Sequence, residues 1–188
     1  MERERLEEIS EKYTYEYLLA VLNSRFSNLY LNAIRRHKLP NTFYPDDFRK
    51  VPIKELKNQT LYVNLVSILQ FIYQSGELEN YTKLYDQEVL NFLIYEIYFK
   101  RKLKEQNKFQ DLHTYLNGEL PQIEFKRWIQ LKFKTDISEK DHKELEKVEN
   151  QIINQIEKSY NKLNNEELKD KLDKMKELEW ISELENKF

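Results

Sequence analysis

Cysteine is absent from the 188 residues, which excludes disulfides, thiolate metal sites and a cysteine nucleophile. Glycine occurs twice and proline four times. So few turn formers cannot readily close a series of hairpins, and helices joined by short polar turns are the expected architecture. An excess of positive charge is missing too: 31 Lys and Arg face 33 Asp and Glu, for a formal net charge of -2. A self-sufficient nucleic-acid binder carries a clear positive excess. Any DNA contact therefore has to come from a local patch, or from a larger basic surface that this chain assists. No apolar run approaches the roughly 18 to 20 residues that span a bilayer. The N-terminus, MERERLEEI, is charged and lacks an apolar signal segment. A soluble, cytoplasmic chain is the expectation, and the missing cysteine fits a reducing compartment.

What is present is apolar and charged in comparable measure. Hydrophobic residues make up 40% and charged residues 34%, enough for a core under a heavily solvated exterior, as one domain or a domain with an appendage. Tyr (13) and Phe (10) supply the large groups for that core and for interfaces.

The stretch Tyr17 to Ile53 organises the rest. Leu19, Leu22, Phe26, Leu29 and Ala33 recur three or four residues apart, which predicts one face of an amphipathic helix. Thr14 is its N-cap candidate, unless the charged residues from Glu2 to Lys12 continue the helix unbroken. Arg25, Asn28, Asn32 and Arg36 form a second, polar stripe. It leads into the basic run Arg35-Arg36-His37-Lys38, and the helix stops before Pro40. Asn23-Ser24 is a poor choice inside a helix; close packing on a neighbour would account for it. Pro40 and Pro45 disfavour helix at the residues before them, so an irregular loop is expected from Leu39 to Ile53. Pro45-Asp46-Asp47 starts a turn there, Phe43, Tyr44 and Phe48 pin it, and Val51-Pro52-Ile53 is extended.

Leu61 to Tyr73 is apolar almost all round and predicts a buried helix, ended by Gly76 in a left-handed conformation. Asp86 to Lys104 predicts a second helix. Its Val89, Leu90, Leu93, Ile94, Ile97 and Tyr98 face inward, and its cations lie at the negative end of the dipole. Phe109 to Leu116 predicts a short helix closed by Asn117-Gly118. Ile123 to Phe133 predicts another, anchored by Phe125, Trp128, Ile129 and Phe133. Ser138 with Asp141 resembles a capping box opening a long helix. Asn164-Asn165 breaks that helix, and a last one carries Leu168 to Leu184. So short a break implies antiparallel neighbours. The fold expectation is all-α: a multi-helix bundle with an irregular proline-containing loop and a C-terminal antiparallel helical hairpin. Residues 1–135 form the helical body and 136–188 the hairpin packed on it.

No constellation reads as catalytic. Adenine methylation needs a glycine-rich turn for S-adenosylmethionine and an Asn- or Asp-Pro-Pro-aromatic loop to grip the base. The chain has no proline pair and its two glycines are far apart, which also excludes a phosphate-cradling loop. Pro45-Asp46 followed by Glu55-Leu56-Lys57 formally mimics a metal-nuclease pattern. That chemistry expects paired strands around metal ions, and a turn with solvated charges is the simpler reading. His37, His113 and His142 have no ligand spacing: His113 reads as a core-boundary residue, His142 as surface, and His37 belongs to the basic run. Ser24 and Ser27 have no His or Asp partner at a motif spacing. The basic run itself has two readings. Cations at a helix C-terminus are explained by the dipole alone. Phosphate contact is the other, because the Arg/Asn stripe leads into the run, and these side chains bond base edges as well as phosphates.

Several of these stretches resemble one family. Leu19-Ala20-Val21-Leu22-Asn23-Ser24-Arg25 is similar to the LLxxLNSK helix near the end of TaqI-type DNA specificity domains. Phe43-Tyr44-Pro45-Asp46-Asp47-Phe48-Arg49-Lys50-Val51-Pro52-Ile53 resembles the yP…lkklPI segment that comes after it. Val89 to Phe99, VLNFLIYEIYF, is similar to the lVYeLYF helix beyond, and the tail around Leu178-Glu179-Trp180-Ile181 looks like the helical C-terminus of type IIG restriction-modification enzymes. The resemblance implies one part of an adenine-specific DNA methyltransferase and restriction endonuclease, with residues 1–135 associated with its specificity module. Methylation with S-adenosylmethionine, cleavage and most of the strand-rich base-reading part would belong to residues outside this chain, which would be a piece of a longer protein or the product of a split gene. It would then be no enzyme by itself and carry no cofactor. Its partners would be the methyltransferase domain of the parent enzyme and DNA, bound weakly or only with the rest of the enzyme, with oligomers left open. The expected DNA-facing residues are Arg25, Asn28, Asn32, Arg35, Arg36, His37 and Lys38, joined by Arg49 and Lys50. The alternative is a protein-interaction scaffold whose hairpin docks on sister domains or a second copy. A small independent nuclease is the third reading.

Overall fold

A computed structural model of the chain describes residues 11–34 and 45–185. All regular structure among them is helical, an all-α multi-helix bundle. In chain order the α-helices are α1 (Tyr15–Asn23), α2 (Arg25–Ile34), α3 (Pro45–Phe48), α4 (Thr60–Ser75), α5 (Asn91–Glu105), α6 (Leu112–Leu116), α7 (Phe125–Lys132), α8 (Glu139–Leu163), α9 (Glu166–Lys176) and α10 (Glu179–Glu185). A π-helical segment, Lys83–Leu90, runs directly into α5.

The two most apolar stretches form the centre. In α4, Leu61, Tyr62, Leu65, Val66, Ile68, Leu69, Phe71 and Ile72 are buried, as an all-round apolar helix requires. Gly76 ends it in the left-handed region, φ 76°. Along the π segment and α5, every residue from Val89 to Glu96 is buried. The expected helix from Asp86 thus begins as a wider coil at Lys83. Where that coil tightens, Asn91 Nδ2 donates to the carbonyls of Asp86 and Gln87, each at 3.0 Å. These bonds occupy carbonyls at the change of winding, and the polar side chain can be buried at little cost.

The first helix departs from expectation. Thr14 does cap it, accepting the Tyr17 N–H at 3.2 Å, but it stops at Ser24, which is extended (φ -69°, ψ 154°). Ser24 Oγ donates to the Val21 carbonyl at 2.6 Å and accepts the Ser27 N–H at 3.3 Å. Ser27 Oγ donates to the same carbonyl at 2.6 Å. The Arg25 N–H, an orphan donor at the start of α2, goes to Asn91 Oδ1 at 2.8 Å. Serine competes with the backbone for its hydrogen bonds, and here that competition divides one helix into two. The break also shifts the buried face. Tyr17, Ala20 and Val21 of α1 and Ser27 and Leu31 of α2 are buried, while Leu19, Leu22, Phe26 and Leu29 are half-buried and Ala33 is exposed. A helical wheel drawn through Ser24 assumes a phase that the break does not keep.

The C-terminal helices fold back on this centre. α8 opens with the Ser138–Asp141 capping box. Lys134 and the Ser138 hydroxyl hold the Asp141 carboxyl well below the usual carboxylate range. Ser159 Oγ donates to the Glu119 carbonyl at 2.9 Å, Tyr85 donates its hydroxyl to the Ile156 carbonyl at 3.3 Å, and Tyr160 stacks on Tyr81 at 3.7 Å. The chain turns at Asn164-Asn165, and the Asn165 side chain caps α9 by accepting the Leu168 N–H at 2.8 Å. Along α9 and α10, Lys176 lies 3.6 Å from Glu88 and Trp180 meets Phe99 edge-on at 4.8 Å. α8 therefore runs against the direction of the central helix, and α9–α10 run with it. The expected single last helix is two, divided at Glu177-Leu178.

Three further expectations are corrected. The helix expected from Phe109 starts only at Leu112, because Glu96 captures the N–H groups of Gln110 and Leu112. Phe133 is 68% exposed. α7 is anchored instead by Trp128, which Phe71 meets edge-on at 4.8 Å. Lys132 lies 4.3 Å over the Trp128 ring and donates to the Gln74 carbonyl at 3.0 Å. Of the proline-containing loop, residues 39–44, with Phe43 and Tyr44, lie outside the described residues. Pro45–Phe48 is the expected turn. Phe48 is 41% exposed, so Val51, at 5%, is the deeper anchor. No helix among the described residues is long and apolar enough to cross a membrane.

Candidate functional site

Helix α2 carries the first part of the expected DNA-facing stripe. Its N-terminus is tied to Asn91 through the Arg25 amide. Phe26 stacks on Tyr98 at 3.9 Å and meets Phe99 edge-on at 5.9 Å, and α3 and α10 pack against its flanks. Asn28 and Asn32 bond each other, with Asn32 Nδ2 donating to both the carbonyl and Oδ1 of Asn28 at 2.9 Å. Arg49 and Lys50 directly follow α3, which packs on α2, and each is engaged in an ion pair. Arg49 reaches Asp46 at 3.0 Å, both exposed, and Lys50 reaches the buried Asp47 at 3.1 Å. Exposed pairs of this kind are worth at most about 1 kcal/mol, so Arg49 is easily released, whereas Lys50 compensates a buried carboxylate. Arg35, Arg36, His37 and Lys38 lie outside the described residues.

A second site was not singled out by sequence. Residues 51–58 run as an irregular strap, so the carbonyls of that strap need other donors. Tyrosines supply them: Tyr98 donates to the Pro52 carbonyl, and Tyr17 to the Lys54 carbonyl at 2.7 Å. Burial keeps these hydroxyls protonated, pushing Tyr98 up to about 12 and Tyr17 higher still. In return Lys54 Nζ donates to the Ile97 carbonyl at 2.9 Å, just before Phe99 interrupts α5 with non-helical angles (φ -112°, ψ 15°).

Between the strap, the start of α4, the middle of α5 and residues 109–113 lies a cavity of about 360 Å³. Its buried carboxyl is that of Glu96, 5% exposed. Glu96 Oε1 accepts the Gln110 N–H at 2.9 Å and Oε2 the Leu112 N–H at 2.7 Å. Burial nevertheless dominates and pushes its carboxyl up to about 7. Asp111, between the two donors, sits in the left-handed region at φ 51°, a conformation that a non-glycine residue keeps only when its surroundings hold it. The buried Tyr62 also lines the cavity; its ring centroid lies 6.2 Å from that of His113. Its hydroxyl, like that of Tyr17, stays protonated because of burial. Lys57 and Lys100 stand at the mouth.

The nuclease-like pattern does not assemble into a catalytic group. Asp46 pairs with Arg49, while Glu55 and Lys57 sit on the strap with no strand partner among the described residues. No group of three or more potential metal-ligating side chains occurs among the described residues. Sequence reasoning passed over Glu96 and Asn91 as functional groups. Their signal was present: each is a polar residue set in the otherwise apolar run Val89–Phe99. Compared with family models, curated proteins and solved structures, the chain matches none.

Proposed function

We propose that this chain serves DNA recognition as a non-catalytic supporting module of a restriction-modification DNA methyltransferase. The reading is carried by α2, a helix fixed at its N-terminal amide, on its aromatic face and along its flanks. In sequence it continues straight into Arg35-Arg36-His37-Lys38. A cluster of cations draws phosphate. Arg25, Asn28 and Asn32 lie along the same helix. A chain-wide charge of -2 confines the contribution to one patch, so binding by the chain alone is weak and becomes useful beside a base-reading domain. The methyltransferase portion of such an enzyme is the proposed partner, in the cytoplasm.

Anisotropy of a labelled duplex, titrated with the whole chain at about 50 and about 200 mM salt, tests the reading. The expected result is weak binding that falls with salt and is abolished by R35E/R36E. Binding unchanged by that reversal removes the assignment. A second reading, a protein-interaction scaffold without DNA contact, is favoured by the ion pairs that engage Arg49 and Lys50. Absence of duplex binding at both salt levels, with a stable complex formed with a methyltransferase portion, decides for it.

A further inference from the structure

We propose that the cavity between the 51–58 strap, α4, α5 and residues 109–113 binds a nucleotide whose base carries an exocyclic amine. The proposal goes beyond the DNA reading. No cavity residue lies on α2, and nothing in the site calls on Arg35 or Arg36.

Three parts of the site carry it. The floor is the Glu96 carboxylate. An ionised carboxylate offers about four acceptor positions and no donor; the Gln110 and Leu112 N–H groups occupy two of them, and the Asp111 N–H makes a further, weaker approach. What remains is acceptor capacity in a largely dry wall, where a hydrogen bond is stronger than in water. With the carboxyl ionised, above about pH 7, a base amine supplies the missing donor, whereas a carbonyl oxygen in the same place meets negative charge. The sides include the rings of Phe109 and His113, together with Leu93 and Ile97, surfaces on which a planar base can stack; on Phe109 it would displace Lys100 and Lys104, whose Nζ atoms lie 5.4 and 5.1 Å from the ring centroid. The mouth holds two exposed lysines, Lys57 from the strap and Lys100 from α5, whose Nζ lies 5.4 Å from the Phe109 ring centroid; lysine is a side-chain type that meets phosphate. Glu55 and Asp111 also border the opening and repel an anion, which directs the phosphate to the lysines. Lys54 is already committed to the Ile97 carbonyl. The volume, about 360 Å³, falls within the range of small-molecule sites.

Cytidine and uridine monophosphates make the sharpest pair of probes, because they differ in presenting an amine or a carbonyl at the same ring position. Calorimetric titration of the whole chain at about pH 8, where the Glu96 carboxyl is ionised, is expected to show cytidine monophosphate binding about tenfold or more tighter than uridine monophosphate, with inorganic phosphate failing to compete. K57E/K100E, at exposed positions away from the core, is expected to weaken cytidine monophosphate by about tenfold or more. Glu96→Gln can donate to a carbonyl, so the preference is expected to shrink to within about twofold or to reverse. A circular dichroism melt first establishes that this variant folds. Should it not, K57E/K100E and the probe pair still decide. Equal affinity for cytidine monophosphate and pentacytidylate assigns the free nucleotide; tighter binding of the oligomer assigns a nucleotide within a strand. Failure of both at millimolar concentration, equal binding of the two monophosphates by the unaltered chain, or affinity indifferent to K57E/K100E overturns the proposal.

Discussion

Replacing Glu96 by Gln should change how the stability of this protein depends on pH. The carboxyl rises from 4.5 to about 7 on folding, chiefly because burial penalises its charged form. A raised carboxyl means that the folded state holds the proton more tightly than the unfolded one. The associated stability is therefore fully present below pH 4.5 and is lost as pH climbs through about 7. By linkage the whole effect is roughly 3 kcal/mol, of which about 2.5 kcal/mol disappears between about pH 5 and pH 8. Gln is neutral throughout and cannot titrate. It keeps one carbonyl for the loop amides but turns an NH2 toward the other, an unmade hydrogen bond costing about 1–3 kcal/mol. The vertical offset between the two proteins mixes these terms; the slope does not. Urea unfolding at half-unit pH intervals gives both. Stability of the unaltered chain should fall relative to Glu96→Gln by about 2.5 kcal/mol over that range. Curves that stay parallel would mean that Glu96 is already ionised with its ordinary affinity for the proton, and would refute the account of a carboxylate held in a dry wall.

Asn91→Ala removes an acceptor from the Arg25 amide and a donor from the Asp86 and Gln87 carbonyls. The cost should be about 2–4 kcal/mol in urea unfolding; a loss below about 0.5 kcal/mol would show that water replaces the side chain at no penalty. Gly76→Ala places a side chain at φ 76° with no atom near the new Cβ. Its cost is purely conformational, about 1–2 kcal/mol, and Gly76→Asn should cost less. Thermal melts that rank Asn below Ala would contradict this.

What could be read from the sequence was whatever a residue decides with its immediate neighbours. Gly76 ends α4, Ser138 and Asp141 open α8, and Asn164-Asn165 turns the chain, each within a few positions of its partners. What could not be read depends on residues far away. The serine bonds that divide the first helix are local, but the freed Arg25 amide is received by Asn91, 66 positions beyond. Glu96 shortens the helix expected from Phe109 because its carboxylate reaches amides 14 and 16 positions ahead. Phe133 was expected to anchor a helix on hydrophobicity alone, yet Lys132 lies over Trp128 and its neighbour is left in solvent. The expected DNA-facing residues are a different case. Spacing placed Arg25, Asn28 and Asn32 together on one helix; the pairs Asp46–Arg49 and Asp47–Lys50, each three positions apart, were a local signal that went unread.

The wide coil at Lys83–Leu90 has a consequence for what lengths this protein tolerates. A π turn holds more residues than an α turn, so one deletion there could restore ordinary winding with no broken backbone ladder. The wide coil already holds the extra residue, so positions downstream would keep nearly the same angular phase. Asn91 would stay near the Arg25 amide, Glu96 near the loop it holds, and Tyr98 near Phe26. Loss of a single codon should therefore be tolerated better in that octet than within α4 or α5, even though half of its side chains are buried.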